Sequence, residues 1–100
     1  MAAIDIDRLD EVIHGRMRLG IMAHLAKVEA ADFNELKAAL NATQGNLSVH
    51  LRKLEEAGYV QIEKGYLGRR PRTQVRVTSK GRKAFAEYLD AIERLVEQLR

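Results

Sequence analysis

The side chains best suited to selective chemistry in this chain lie between residues 43 and 53. Gln44 and Asn46 each carry an amide that offers a donor and an acceptor together, the pair that matches an adenine edge. Arg52 can reach a base or a phosphate, and Lys53 suits a phosphate. Thr43 and Ser48 suit phosphate oxygens, and Val49 can touch a thymine methyl. No acid intervenes before Glu55 and Glu56. A second group, Arg69, Arg70 and Arg72, can enter or straddle a minor groove, where narrow A·T-rich stretches concentrate negative potential. This is chemistry for holding and reading a polyanion.

Other chemistries lack their residues. There is no cysteine, which removes disulfides, zinc–cysteine sites and thiol catalysis. His14 and His24 are ten residues apart, not at the helical step of about three or four that puts two ligands on one face. His50 falls on the flank of its helix, in a structural or phosphate-contacting position. No nucleophile–base pair, glycine-rich phosphate loop or carboxylate constellation is present, so neither an enzyme nor a metal or cofactor is expected.

Charge is focused rather than large. The net charge is +3 over 100 residues. From residue 61 to 83 the cations Lys64, Arg69, Arg70, Arg72, Arg76, Lys80, Arg82 and Lys83 face Glu63 alone. Residues 1–42 carry seven acids and five bases, and residues 84–100 four acids and two bases. A field concentrated this way attracts nucleic acid. Hydrophobic residues make up 46% and charged residues 31%, the balance of one globular domain with a small core. No apolar run approaches the roughly 20 residues that span a bilayer, and the N-terminus turns acidic too early for a secretory signal. A cytoplasmic location without membrane contact is expected.

The elements that position these residues follow from periodicity. Leu47, Leu51 and Leu54 share one face of a helix over 43–57, capped by Thr43 and closed by Gly58. Upstream, a short helix is expected over 4–13, with Asp7 as cap and Leu9, Val12 and Ile13 turned inward. A stronger helix is expected over 16–29, on which Met17, Ile21 and Leu25 align while Arg16, Arg18 and Lys27 stay wet. Gly20 inside it signals close packing against a neighbouring helix. Residues 30–33 suit a brief strand, and Asn34 caps a two-turn helix whose inner face is Phe33, Leu36, Ala39 and Leu40. Residues 34–58 therefore read as a helix-turn-helix.

Past Gly58 the period drops to two. Val60 and Ile62, then Val75 and Val77, describe two strands of a hairpin over 59–78 with a long tip at 65–72 that holds Pro71. Tyr66 is expected to pack beneath it. A last helix over 79–100 starts at Thr78 or Ser79. On it Phe85, Ile92 and Leu99 recur every seven residues, as do Leu89 and Val96. The stripe is too long for one small domain to cover. With Leu9 and Ile13 it forms the expected interface of a homodimer.

The fold class is thus mainly α with a small β-hairpin: a winged helix-turn-helix with an added C-terminal dimerisation helix. The runs Gly45-Asn46-Leu47-Ser48, His50-Leu51, Lys53 through Val60, Glu63-Lys64-Gly65, Gly68-Arg69, Pro71-Arg72-Thr73, Thr78, Gly81-Arg82 and Ala84-Phe85 resemble the core of the small winged-helix transcriptional regulators of the MarR, PadR and ArsR superfamily. The resemblance covers about residues 16–89. Val77 departs from it, standing where leucine is commoner. It implies a homodimeric, sequence-specific repressor or activator on double-stranded DNA. The 43–57 helix would lie in the major groove and the 65–72 wing on the minor groove or backbone. Two recognition helices about one DNA turn apart would make the operator an inverted repeat. The competing use, a winged helix that docks on protein, calls for aromatic or aliphatic anchors on the 43–57 face, where Val49 is the sole aliphatic. An RNA-binding role lacks exposed aromatic stacking residues. A small-molecule effector would need a cleft between the N- and C-terminal helices of a dimer, and no polar constellation marks one.

Overall fold

Leu47, Leu51 and Leu54 are buried almost completely, and the remaining elements are arranged to receive them. The computed structural model describes residues 5–100. After a 3-10 turn at Ile6–Arg8, the order is α1 (Arg16–Leu25), β1 (Ala31–Asp32), α2 (Phe33–Ala39), α3 (Gln44–Glu56), β2 (Val60–Leu67), β3 (Arg70–Val77) and α4 (Ser79–Gln98). The sheet is antiparallel, in the order β1-β3-β2. One core joins Ile13, Ile21, Met22 and Leu25 to Leu36, the α3 leucines, Val60, Val75, Phe85 and Tyr88.

The helix-turn-helix forms from local signals. Asn41 takes a left-handed φ of 49° between α2 and α3. The Thr43 hydroxyl then accepts from the Asn46 N–H at 3.1 Å, satisfying one of the free donors of the α3 start. Gly58, at φ 81°, turns the chain from α3 into β2. Gly20 packs as expected, since a Cβ there would lie 2.7 Å from a methyl of Leu40.

Several elements differ from expectation. In place of a helix over 4–13 there is the short 3-10 turn, followed by a turn that Asp10, not Asp7, organises; Ile4 lies outside the described residues. Asp10 accepts from the Val12 and Ile13 N–H groups at 2.8 and 3.1 Å, satisfying the backbone locally in competition with a helix. Its other oxygen accepts from the Tyr59 hydroxyl at the root of the hairpin. α1 ends at Leu25 rather than residue 29, because the chain must turn to bury Ala31 in β1 opposite Val75. Asp32, not Asn34, stands at the N-cap of α2, and its carboxylate bonds to Arg72 rather than to the helix.

The long tip is also corrected. β2 and β3 stay paired out to Tyr66↔Pro71 and Leu67↔Arg70, so the loop is only Gly68-Arg69. Gly68 supplies the positive φ, 64°, that so tight a turn requires. Pro71 therefore lies within β3. It is tolerated because β1 pairs only with Gln74 and Val75, which leaves the β3 edge open at Pro71.

α4 is locked to the hairpin root at its first turn. The Thr78 hydroxyl accepts from the Gly81 N–H at 2.9 Å and donates to the Gly58 carbonyl at 2.6 Å, while the Thr78 N–H donates to the Tyr59 carbonyl at 3.0 Å. Gly81 sits so close that a Cβ there would be 2.1 Å from that carbonyl oxygen. At the other end, Arg8 and Arg94 both donate to Asp90 at 3.0 Å, fastening the N-terminal segment to α4. These hydrogen bonds hold the Asp90 carboxyl below its ordinary pKa.

Candidate nucleic-acid interface

With its leucines turned inward, α3 offers Gln44, Asn46, Ser48, Val49, Arg52 and Lys53 to solvent, together with Thr43 at its cap. The face is set by burial: three inward leucines leave no other rotation of the helix that keeps the core intact. Side chains on its early turns are short, so a duplex can approach the backbone closely.

The rotation is pinned from behind. Arg18 of α1 donates to the Val12 carbonyl and, at 3.0 Å, to Nδ1 of His50. Arg18 is therefore half-buried and bonded, not wet as expected. His50 must be neutral to accept that bond. Burial, with help from the Arg18 and Lys53 charges, lowers its pKa from the ordinary value.

The hairpin stands beside α3. A groove of about 580 Å³ runs between them, with Gln44, Ser48, Arg52 and Glu55 on one wall and Lys64 and Thr73 on the other. Further out, Gln44 lies across a second hollow from Leu67 and Arg70. The α3 face and the outer hairpin thus open to the same side. Arg52, Lys53, Lys64, Arg69 and Arg70 make no ion pair among the described residues, whereas Arg72 pairs with Asp32 at 2.9 Å and Arg76 with Glu63 at 3.4 Å. Free cations thus flank both the groove and the tip.

Residues 17–96 match the family described as winged helix DNA-binding domain. The chain belongs to that family. An uncharacterized protein of Methanocaldococcus jannaschii is 39% identical over 89 residues, covering 89% of this chain and 97% of its own length. The structure of a transcriptional regulator homologue from Pyrococcus horikoshii OT3 superposes with a TM-score of 0.79 at 31% identity, over 94% of this chain and 98% of that one. A protein of Enterococcus faecalis V583, assigned to the MarR family of transcriptional regulators, gives 0.75 at 27% identity, over 94% and 84%. Family and fold are those of a DNA-binding transcriptional regulator and not of an enzyme. No described helix is long and apolar enough to cross a membrane.

Within this winged helix the expected DNA-facing residues are brought together on one side, with one qualification. Arg72 is half-buried and shared with Asp32, so it braces the wing against the start of α2. Lys64 joins the groove in addition to the expected residues. Its signal in the sequence is the two-residue step from Ile62, which puts both on one face of β2. Tyr66 does not pack beneath the wing; it is 75% exposed.

The expected dimer residues divide. Ile13 and Phe85 are consumed by the protomer's own core, Ile13 entirely, and offer nothing to a second copy. Leu9 and Ile92 pack partly against that core. Leu89, Val96 and Leu99 remain exposed.

Proposed function

We propose that this protein is a sequence-specific regulator that binds an inverted-repeat operator as a two-fold homodimer. In this reading α3 enters the major groove, where Gln44, Asn46, Val49 and Arg52 read base edges while Thr43, Ser48 and Lys53 hold phosphates. Arg69 and Arg70 at the wing, with support from Arg72 and Lys64, engage the adjacent minor groove or backbone. The observation that carries the reading is the common direction of the α3 face, free of acids until Glu55, and the unpaired cations Lys64 and Arg70 of the hairpin. Leu89, Val96 and Leu99 on α4 supply the pairing surface. An apolar row of this kind on a DNA-binding domain is best explained by a second copy. Such a protein works where its DNA is, in the cytoplasm.

Selection of bound duplexes from a random pool tests the reading and delivers the operator. Asn46→Ala or Arg52→Ala should then cost about 1–3 kcal/mol on the selected site and far less on random duplex. Equal losses on both would reduce these side chains to backbone contacts. A pool with no common sequence would end the proposal.

A further inference from the structure

The large exposed hydrophobic side chains among the described residues fall into four groups. Val49 belongs to the α3 face. Leu89, Val96 and Leu99 belong to α4, and Ile6 to the N-terminal turn. Tyr66 and Leu67, 75% and 64% exposed, belong to none of these and stand at the end of the wing.

Their position is specific. β1 supports β3 only at Gln74 and Val75, and the Arg72–Asp32 pair ties the wing to the body two residues further out. Beyond that tie only Tyr66↔Pro71, Leu67↔Arg70 and the Gly68-Arg69 turn remain. At roughly 3.3 Å per residue the unsupported tip is about 10 Å long, close to the roughly 7.5 Å depth of a minor groove. Directly opposed residues share a face, so Tyr66 stands with Pro71 and Leu67 with Arg70. The tip thus carries one apolar side chain on each face, beside the unpaired cations Arg69 and Arg70. The complementary surface has an apolar interior bounded by anions, as stacked bases between phosphates have. Two strands with their side chains are wider than an undistorted minor groove of roughly 6 Å, so entry requires the groove to open.

We propose that Leu67 is a wedge that the wing inserts at a base step in the minor groove, kinking the duplex and selecting an easily unstacked pyrimidine–purine step beneath the wing. Arg69 and Arg70 hold the flanking phosphates while Leu67 opens the step. Sequence preference then arises at positions that α3 never touches, through the cost of deforming them. The inference rests on the DNA-binding reading above.

The test uses the full chain, wild type and Leu67→Asn, each taken through selection from the same pool of random duplexes. Leu67 is exposed, so the substitution leaves the fold intact, which thermal melting checks. Wild-type selection should enrich a TA or CA/TG step at a fixed distance outside the α3-read core. Leu67→Asn should keep the core and lose the step. On the wild-type-selected duplex, end-to-end energy transfer should show a bend with wild type and with Leu67→Met, but not with Leu67→Asn. The variant's affinity for that duplex should fall about tenfold, as expected when the protein can no longer stabilise a deformed step. A shared core with no enriched step, or an equal bend with Leu67→Asn, overturns the wedge and leaves DNA recognition by α3 standing. Absence of any common core overturns both. Leu67→Asn that dissociates the protein in sedimentation while its bend and site preference stay wild-type makes the tip a protein contact and also overturns the wedge.

Discussion

Replacing Gly81 with alanine separates helix propensity from packing, because the two predict opposite signs. Gly81 is in the first turn of α4, where alanine would gain up to about 1 kcal/mol by propensity alone. Its added Cβ, however, would sit 2.1 Å from the Tyr59 carbonyl oxygen, 2.9 Å from that carbonyl carbon and 2.9 Å from a Val77 methyl. The first two are backbone atoms and cannot rotate away. To reach ordinary van der Waals separation, α4 must retreat from the hairpin root by about 1.3 Å. Overpacking of this kind costs about 2 kcal/mol. The retreat also strains the two hydrogen bonds that cross the joint, Thr78 N–H to Tyr59 and Thr78 hydroxyl to Gly58, each contributing about 1 kcal/mol. The expected net effect is a loss of about 3 kcal/mol, or a urea midpoint lowered by about 2 M. Because association would add to stability, variants are compared at one protein concentration. Gly45→Ala is the control. Gly45 is also helical, but a Cβ there meets nothing within 4 Å, so that variant should be unchanged or more stable. If Gly81→Ala matches or exceeds wild type in urea, the close joint between α4 and the hairpin root is not what the fold relies on.

The wing, the dimer and the hairpin root give further tests. Arg69→Ala with Arg70→Ala should weaken binding to all duplexes and flatten the log–log salt dependence by about 0.9 for each phosphate no longer neutralised. Arg72→Ala should flatten it less, because Asp32 already shares that charge; an unchanged slope in the double variant removes the wing from binding. Val96→Glu with Leu99→Glu should give a folded monomer in sedimentation that loses its inverted-repeat site, whereas a wild-type chain that is monomeric yet binds that site tightly would refute pairing through α4. Burial, followed by the bond to Asp10 and the Asp10 and Glu87 charges, pushes the Tyr59 hydroxyl up to about 12 from 10.0. The folded value is raised, so the stability carried by the protonated hydroxyl is full below pH 10 and is lost as pH rises through about 12. Burial raises Tyr88 as well, so phenolate absorbance should show two late-titrating tyrosines, of which the later moves toward the ordinary value in Asp10→Ala; a titration identical in that variant would exclude the bond.

What the sequence determines by itself is whatever neighbours along the chain can settle among themselves. The Thr43 hydroxyl reaches an N–H three residues on, and the α3 leucines recur within the reach of one helical face, so helix, cap and solvent-facing side are legible together. The same holds for the Thr78 cap, the span of α4, the short β1 strand and the focused charge of the wing. The tip of the hairpin is not legible. Its outer residues lack the apolar alternation that fixes register, and pairing is carried out to the end by the Gly68 turn instead. Asp10 meets Tyr59 across 49 residues, Arg72 meets Asp32 across 40 and Arg18 meets His50 across 32. No periodicity announces such pairs, because each exists only after the helices and sheet have brought distant segments together. Burial is decided at the same stage. Ile13 and Phe85 carry the same apolar signal as Leu99, and only the packed fold shows that the first two are spent on the protomer's own core while Leu99 stays in water, open to a second copy.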